Sequence, residues 1–264
     1  MNPLEPEPRV VAIVSARMAS TRYPGKAMVP LAGEALLSVL LRRIASSPLL
    51  DSVCLATSVN AENLPLVELA RHLGIPAFQG DEDDVLRRHI DCARSMGAQH
   101  VVRVTGDNPL TDLETLERLV QLHLGTGADY SFVPGDALLM GILSEVISRT
   151  ALEQSWERGE ARHRAELVTL YIKEHPQEFR IQTLELDASL YRPQYRLTVD
   201  EREDVELMQT LFARLAVPGA LVTTRQAIEL LDGEPELAKL NGHLTHKSHN
   251  LRSVELDNSI AGKK

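Results

Sequence analysis

Residues 10–26 read VVAIVSARMASTRYPGK, and this stretch decides the interpretation of the whole chain. It opens with an apolar run of strand length. Residues 15–26, called the basic loop below, then carry Arg17, Arg22 and Lys26 and no acid, although the chain has a formal net charge of −9. A basic loop after a buried strand in an acidic protein predicts a site for a small, highly charged anion, with a triphosphate as the natural candidate. The alternative is a solvated basic turn.

The composition of the 264 residues excludes several classes of protein. The acidic balance argues against nonspecific nucleic-acid binding, which needs a basic face. No apolar run approaches the roughly 20 residues needed to span a bilayer. The acidic, proline-rich start MNPLEPEPR is unlike a signal peptide. Cys54 and Cys92 fall in predicted core segments without metal-type spacing, so we interpret them as buried hydrophobic residues. We therefore expect a cytoplasmic protein without nucleic-acid or membrane partners.

Strand-length apolar runs alternate with amphipathic helices through residue 133. The predicted strands are 10–15, 53–57, 75–78, 100–105 and 129–133, and the predicted helices are 34–45, 62–73, 81–96 and 112–124. This alternation predicts an α/β fold of three layers, with helices on both faces of a mainly parallel sheet. In open sheets of this kind ligands bind beyond the carboxyl ends of the strands, where the basic loop lies.

The alternation ends after residue 134. The later predicted strands are 142–147, 179–186 and 195–199, and the later predicted helices are 150–158, 164–175, 201–215 and 224–231. We interpret residues 134–195 as an insertion that shapes a second substrate's pocket, within a single domain of residues 9–235. Residues 1–8 are expected to be flexible. Residues 236–264 are expected to form a polar tail that is partly disordered from residue 244 onward.

Two aspartates far apart in the sequence follow predicted strands. Asp107 comes directly after the strand that ends at Thr105, and Asp200 comes after the strand that ends at Val199. Mg²⁺ is commonly held by one or two carboxylates together with substrate phosphates, which this pair would satisfy. Each aspartate alone equally suits the N-cap of a following helix.

Other polar groups give weaker signals. The acids of residues 81–84 are typical of a helix N-terminus. Thr57 and Ser58 follow the second predicted strand, where they would line a base pocket. The histidines show no metal-binding spacing and are interpreted as surface or satisfied core groups. The pattern as a whole favours metal-assisted phosphoryl or nucleotidyl transfer, in which positioning and charge neutralisation supply most of the rate.

Four segments together resemble the sugar-acid cytidylyltransferases, which include the synthetases of CMP-activated Kdo and sialic-type sugars. They are SARMASTRYPGKAMVPLAGEALL (15–37), DEDDVLR (81–87), RVTGDNPLTD (103–112) and RLTVDEREDVE (196–206). The similarity is strongest to the branch named after a spore coat polysaccharide protein, and it covers roughly residues 9 to 215.

This resemblance implies a Rossmann-like nucleotide-diphospho-sugar transferase fold with an inserted acceptor and dimerisation region, and a homodimer. It implies Mg²⁺-dependent transfer of CMP from CTP to a hydroxylated acid, such as a sugar acid, with release of pyrophosphate. It assigns catalysis to Arg17, Lys26 and Asp107, and Mg²⁺ to Asp107 and Asp200. The residues that it assigns to the nucleotide are Ser15, Ala16, Arg17, Ser20, Arg22, Lys26, Thr57, Ser58 and Thr105.

The region expected to meet the acceptor departs from the pattern of this branch. GILSEVIS (141–148) stands where the branch reads like GLDVEVFS, and AELVTLY (165–171) stands for REHVTPY. Leu143, Ala165 and Leu167 thus replace an aspartate, an arginine and a histidine, whereas Glu145 and Glu166 remain and are assigned to the acceptor. Two alternatives stay open. One is a nucleotidyltransferase with another NTP or with a phosphonate or phosphate acceptor, and the other is a nucleotide-sugar-binding protein or glycosyltransferase of similar fold.

Overall fold

Alternating strands and helices build the part of the chain that the structure describes, residues 9–135 and 139–244 of a computed structural model. The strands are β1 (Val10–Ser15), β2 (Pro30–Leu31), β3 (Glu34–Ala35), β4 (Ser52–Ser58), β5 (Ala77–Gly80), β6 (His100–Thr105), β7 (Tyr130–Phe132), β8 (Glu145–Ser148) and β9 (Ile181–Thr183). The α-helices are α1 (Leu36–Ala45), α2 (Leu64–His72), α3 (Val85–Ser95), α4 (Leu113–Thr126), α5 (Arg149–Arg158), α6 (Leu170–Glu174), α7 (Arg202–Leu215), α8 (Thr224–Gly233) and α9 (Pro235–Ala238).

Seven strands form one sheet in the order β5-β4-β1-β6-β8-β7-β9. β1 pairs in parallel with β4 and β6, β4 pairs in parallel with β5, and β7 pairs in parallel with β9. β8 is antiparallel to both of its neighbours, β6 and β7. The prediction of a mainly parallel sheet is confirmed. β8 comes from the predicted insertion but lies within the sheet, next to β6.

The central strand β1 shows why the protein has three layers. Side chains alternate between the two faces of a strand. Val11 and Ile13 pack in a core with α3 and α5, whereas Val10, Ala12 and Val14 pack in a second core with α1, α2 and α4. All five of these side chains are buried. The apolar run of β1 is therefore continuous because both faces of the strand are buried, as the sequence predicts.

A third apolar cluster fixes the segment that carries Asp200. The apolar faces of α7 and α8 pack together beside Leu197 and Val199. The buried Asn241 donates a hydrogen bond to the carbonyl of Arg196 across 3.0 Å. Residues 236–244 therefore contact the domain and support the extended segment that ends at Asp200.

Several predicted elements differ in the structure. Residues 195–199 form no regular strand in the described part of the chain, where Arg196 makes an isolated parallel bridge to Met140. The predicted helix 164–175 shortens to α6, since residues 165–169 are irregular. Shifted or shortened strands replace those predicted at 75–78, 142–147 and 179–186, namely β5, β8 and β9.

Some predictions concern residues outside the described part of the chain. These are the flexible start at 1–8 and most of the predicted tail, from residue 245 onward. Within the described residues, every helix is too short or too polar to cross a membrane.

Candidate active site

A tight turn presents Lys26 at the carboxyl edge of the sheet. The carbonyl of Met18 accepts hydrogen bonds from the N–H groups of Ser20 and Gly25, both at 2.9 Å, so the basic loop folds back on itself. Gly25 has φ of +76°, a backbone region that glycine adopts without strain. A single 3₁₀ turn, Lys26–Met28, follows at once.

The Lys26 ammonium lies between the two aspartates that the sequence singles out. Its Nζ is 2.7 Å from Oδ2 of Asp107 and 2.8 Å from Oδ1 of Asp200. Arg22 adds a contact of 2.7 Å to the same Oδ1 of Asp200. The predicted convergence of two distant carboxylates with cations of the basic loop is therefore present.

The charges of this cluster support one another. Burial by itself lowers the pKa of Lys26, but the charges of Asp107 and Asp200 outweigh burial and raise that pKa above its usual value. Burial by itself raises the pKa of Asp200, but Lys26, Arg22 and Arg196 outweigh it and hold that pKa below its usual value. At neutral pH the ammonium is therefore protonated and the carboxylate ionised.

Asp200 and Asp107 sit in unequal environments. The Asp200 side chain is 5% exposed and also contacts Arg196 at 3.1 Å, and its backbone N–H donates to Asp204. The Asp107 side chain is 22% exposed, and Lys26 is its one salt-bridge partner among the described residues. Asp200 thus belongs to a buried charge network, whereas Asp107 lies at the cleft surface.

Backbone contacts bring the segments of the site together. The N–H of Val199 donates to the carbonyl of Asp107, and the N–H of Gly106 donates to the carbonyl of Ser15 across 2.8 Å. A Cβ at Gly106 would lie 2.7 Å from both the Ser15 carbonyl oxygen and the Ala16 Cβ. The chain crosses here at a distance that only glycine permits.

These residues surround a cleft of about 230 Å³ at the carboxyl ends of β1 and β6. The predicted site residues that line it are Ser15, Ala16, Arg17, Ser20, Arg22, Lys26, Thr105, Asp107 and Glu166. Arg17 contacts two carboxylates, Glu166 at 2.5 Å and Glu82 at 3.4 Å. Most of the predicted nucleotide residues therefore share one cavity.

Four predicted site residues do not line this cleft. One is Asp200, which contacts the lining residues Arg22 and Lys26. The other three are Thr57, Ser58 and Glu145. Thr57 and Ser58 are buried, and the Ser58 hydroxyl accepts a hydrogen bond from Asn63 at 2.7 Å. The Glu145 side chain is 15% exposed and pairs with Arg103, with Nη1 of that arginine 2.8 Å from its Oε2. These three side chains cannot contact a ligand in the cleft without rearrangement.

Three residues without a predicted role also line the cleft, namely Arg88, His89 and Arg103. Arg103 has a signal in the sequence, because period-two alternation on β6 places it on the same face as Thr105. The α3 residues carry no comparable signal. The acids at 81–84 behave as predicted, since Asp84 caps α3 and accepts from the N–H of Arg87 at 2.8 Å.

His89 is a neutral, buried member of the cleft wall. Burial lowers its pKa to about 3. Its Nδ1 lies 2.8 Å from the carbonyl of Val85 and must donate to it, so Nε2 is unprotonated and accepts from the Ser15 hydroxyl at 3.0 Å. His89 thereby orients Ser15 and cannot serve as a proton donor at neutral pH.

The donor set suits a magnesium ion that is shared with a substrate. Asp107 and Asp200 both contact one ammonium nitrogen, which shows that their oxygens approach a common point for a cation. No group of three or more His, Cys, Asp or Glu among the described residues is arranged to hold a metal. Two carboxylates with the remaining positions left to phosphates and water is the usual arrangement for Mg²⁺.

Comparisons with known proteins identify the family of the chain. A model of the cytidylyltransferase family matches residues 11–231. The chain is 34% identical to spore coat polysaccharide biosynthesis protein SpsF of Bacillus subtilis over 242 residues, covering 87% of this chain and 96% of that protein. It is 29% identical to the 3-deoxy-manno-octulosonate cytidylyltransferase of Trichlorobacter lovleyi over 119 residues, covering 44% of this chain and 46% of that protein. The solved structure of a cytidylyltransferase from Leptospira borgpetersenii superimposes with a TM-score of 0.81 at 25% identity, covering 90% of this chain and 100% of that one. The resemblance found in the sequence is thereby confirmed, and the chain belongs to the cytidylyltransferase family.

Proposed function

We propose that the protein transfers CMP from CTP to a hydroxyl group of an acid acceptor, such as a sugar acid, and releases pyrophosphate with the help of Mg²⁺. The observation that carries this proposal is the ammonium of Lys26 between Asp107 and Asp200, with Arg22 alongside. This arrangement offers both cations for a triphosphate and carboxylates for its metal.

In this proposal the basic loop binds the triphosphate. Arg17, Arg22 and Lys26 neutralise phosphate oxygens, and the small residues Ala16 and Ser20 allow close approach of the backbone. The acceptor hydroxyl attacks the α-phosphorus in line, its proton is lost, and the bond to the β-phosphate oxygen breaks. The cations stabilise the negative charge that develops on the leaving pyrophosphate.

Asp107 and Asp200 would hold the Mg²⁺. When bound, the ion supplies charge neutralisation and orientation of the phosphates. In the structure the Lys26 ammonium lies between these two carboxylates. With the charge of the two aspartates neutralised by the ion, Lys26 and Arg22 would be available to contact the triphosphate.

The relatives support the choice of acceptor class. One relative is named for spore coat polysaccharide biosynthesis, and another transfers to 3-deoxy-manno-octulosonate, a sugar acid. Membership of the cytidylyltransferase family favours nucleotidyl transfer over the alternative of a glycosyltransferase or a nonenzymatic binding protein. A homodimer stays a prediction from the resemblance.

A screen of pyrophosphate release tests the proposal. Each of the four NTPs is incubated with Mg²⁺ and a panel of sugar acids, phosphonates and sugar phosphates. We expect release that requires CTP together with a sugar acid and that stops with EDTA. Release with another NTP, or only with a phosphorylated acceptor, would contradict the proposal.

A further inference from the structure

We infer that Arg103 binds the carboxylate of the acceptor, and that Glu145 is a positioning residue that holds the Arg103 guanidinium in the cleft. This inference rests on the proposed function, because it identifies the group that recognises the acid in that reaction. It changes the expected role of Glu145 from direct contact with the acceptor to support of Arg103.

Both oxygens of Glu145 are occupied by protein groups. Oε1 accepts hydrogen bonds from the Tyr130 hydroxyl, from the Thr169 hydroxyl at 3.2 Å and from the Lys173 ammonium at 3.1 Å. Oε2 accepts from Nη1 of Arg103 at 2.8 Å. A carboxylate with this set of donors has little capacity left for a ligand. Its evident effect is to fix the cation that lies between it and the cleft.

Arg103 has donors to spare. A guanidinium carries five N–H bonds. Within residues 9–135 and 139–244, the acceptors of Arg103 are Oε2 of Glu145 and the carbonyl of Glu166, which lies 3.2 Å from Nη2. The buried Nε has no partner in that part of the chain. Since the side chain lines the cleft, its Nη groups offer a forked surface to a planar anion.

Arg103 lies in the sheet between the proposed sites of the two substrates. β6 lies between β1, which leads into the basic loop, and β8, which comes from the predicted acceptor region. Arg103 and Glu145 are directly paired in the register of β6 and β8. Asp107 follows at the end of β6, so an acceptor anchored at Arg103 would lie next to the metal ligands.

The charge around Arg103 suits an anionic group on the acceptor. Arg103 and Lys173 carry two positive charges, and Glu145 carries one negative charge. Arg88 lines the same cleft and has no salt bridge among the described residues. The positive balance therefore favours an acceptor that carries an anion, and the planar fork of Arg103 matches a carboxylate.

The test compares Arg103→Gln, Arg103→Lys and Glu145→Gln with wild type and with Arg42→Gln, which removes an exposed arginine–glutamate pair remote from the cleft lining. The acceptor is the best substrate among 3-deoxy-manno-octulosonate, N-acetylneuraminate and their carboxamide, phosphonate and phosphate analogues. Pyrophosphate release gives KM for the acceptor and kcat, and calorimetry gives Kd for CTP.

We expect Arg103→Gln to raise KM for the acid about 10- to 100-fold, the loss of one charge-assisted hydrogen bond, with Kd for CTP unchanged. Arg103→Lys should recover part of that loss. Glu145→Gln should also raise the acceptor KM, and Arg42→Gln should not. Arg103→Gln removes the partner of Oε2 of Glu145 and leaves Lys173 as the remaining cation beside that acid. The double variant Arg103→Gln/Glu145→Gln therefore serves as a second route if the single variant does not fold.

The outcomes distinguish a failure of this inference from a failure of the proposed function. Absence of pyrophosphate release with every acceptor would overturn the proposed function, and this inference with it. Release by the wild type with an unchanged acceptor KM in the folded Arg103 variants would overturn only the role of Arg103. If the wild type prefers the phosphonate, phosphate or carboxamide analogue over the acid, the role of Arg103 as the residue that binds the carboxylate is also overturned.

Discussion

The N–H of Val199 donates a hydrogen bond to the carbonyl oxygen of Asp107 across 2.9 Å. This bond joins the segment after β6 to the extended segment before α7. Each segment ends in one of the two carboxylates that contact Lys26, Asp107 directly and Asp200 one residue further on. Because the backbone holds the segments together, single side chains can be replaced to separate the chemistry of the site from its stability.

Lys26→Ala should lower kcat by roughly 10²- to 10³-fold, the cost of removing one preorganised partner of the charge that develops in the transition state. Lys26→Arg keeps the positive charge and should retain more activity. Steady-state pyrophosphate release measures both variants. A change in thermal stability with an unchanged kcat would instead indicate that Lys26 only neutralises its two aspartates.

Asp107→Asn and Asp200→Asn should both abolish turnover, but only Asp200→Asn should strongly destabilise the fold. Replacing Asp200 leaves the buried Arg196 with one carboxylate fewer, a change of the kind that costs about 3 kcal/mol. Asp107→Asn should lower the free energy of unfolding by only about 1 kcal/mol, because Asp107 is more exposed. Urea unfolding measures the difference. Equal stability losses would contradict the unequal environments, and full activity would remove both residues from the site.

His89 should make the fold less stable as the pH falls. Its pKa is about 3 in the folded protein and about 6.5 when exposed, so between these values the unfolded state binds one proton more. The free energy of unfolding should therefore fall by about 1.4 kcal/mol per pH unit from this residue as the pH drops below 6.5.

The measurement for His89 is the slope of unfolding free energy against pH between 6 and 4.5. The slope for the wild type should be steeper than that for His89→Gln by about 1.4 kcal/mol per pH unit, which corresponds to a difference of one bound proton. His123, whose pKa burial lowers to about 4, contributes equally to both proteins and cancels in the difference. Identical slopes would show that His89 is protonated, or accessible to protons, in the folded state.

Gly106→Ala should damage the site, whereas Gly125→Ala should not. The added Cβ at Gly106 would overlap the Ser15 carbonyl and displace the basic loop, at a cost of about 1–3 kcal/mol and much of the activity. Gly125 lies in α4 with open space around it, so alanine there should stabilise the helix by about 0.5–1 kcal/mol. Differential scanning calorimetry and the activity assay report both effects. A Gly106→Ala protein as active and stable as wild type would contradict the close crossing.

The sequence predicts which residues of the basic loop come together at the sheet edge, because the signals for that loop are local. The apolar run of β1 gives a strand buried on both faces, and the basic loop must then lie at the sheet edge. Asp107 and Asp200 could be paired in advance because each follows a segment read as a strand. The second segment is only an extended chain, yet it still delivers Asp200 to Lys26.

The acceptor half could not be read in the same way, because its structure depends on contacts between distant segments. Glu145 has the same sequence signal whether it faces a ligand or an arginine, and the pairing of β8 with β6 decides between them. Thr57 and Ser58 end β4 as Thr105 ends β6, but they are buried and do not line the cleft. Periodicity marks the ends of the strands but does not show which of those ends border the cleft.

The most direct test of the central claim is a calorimetric titration of the protein with CTP and with CMP, each in the presence of Mg²⁺ and again with EDTA. If Lys26, Arg22 and the two aspartates bind a metal–triphosphate, CTP with Mg²⁺ should bind at least about tenfold more tightly than CMP, a difference of about 1.4 kcal/mol, and EDTA should remove that advantage. Equal affinities for CTP and CMP in the presence of Mg²⁺ would contradict the account.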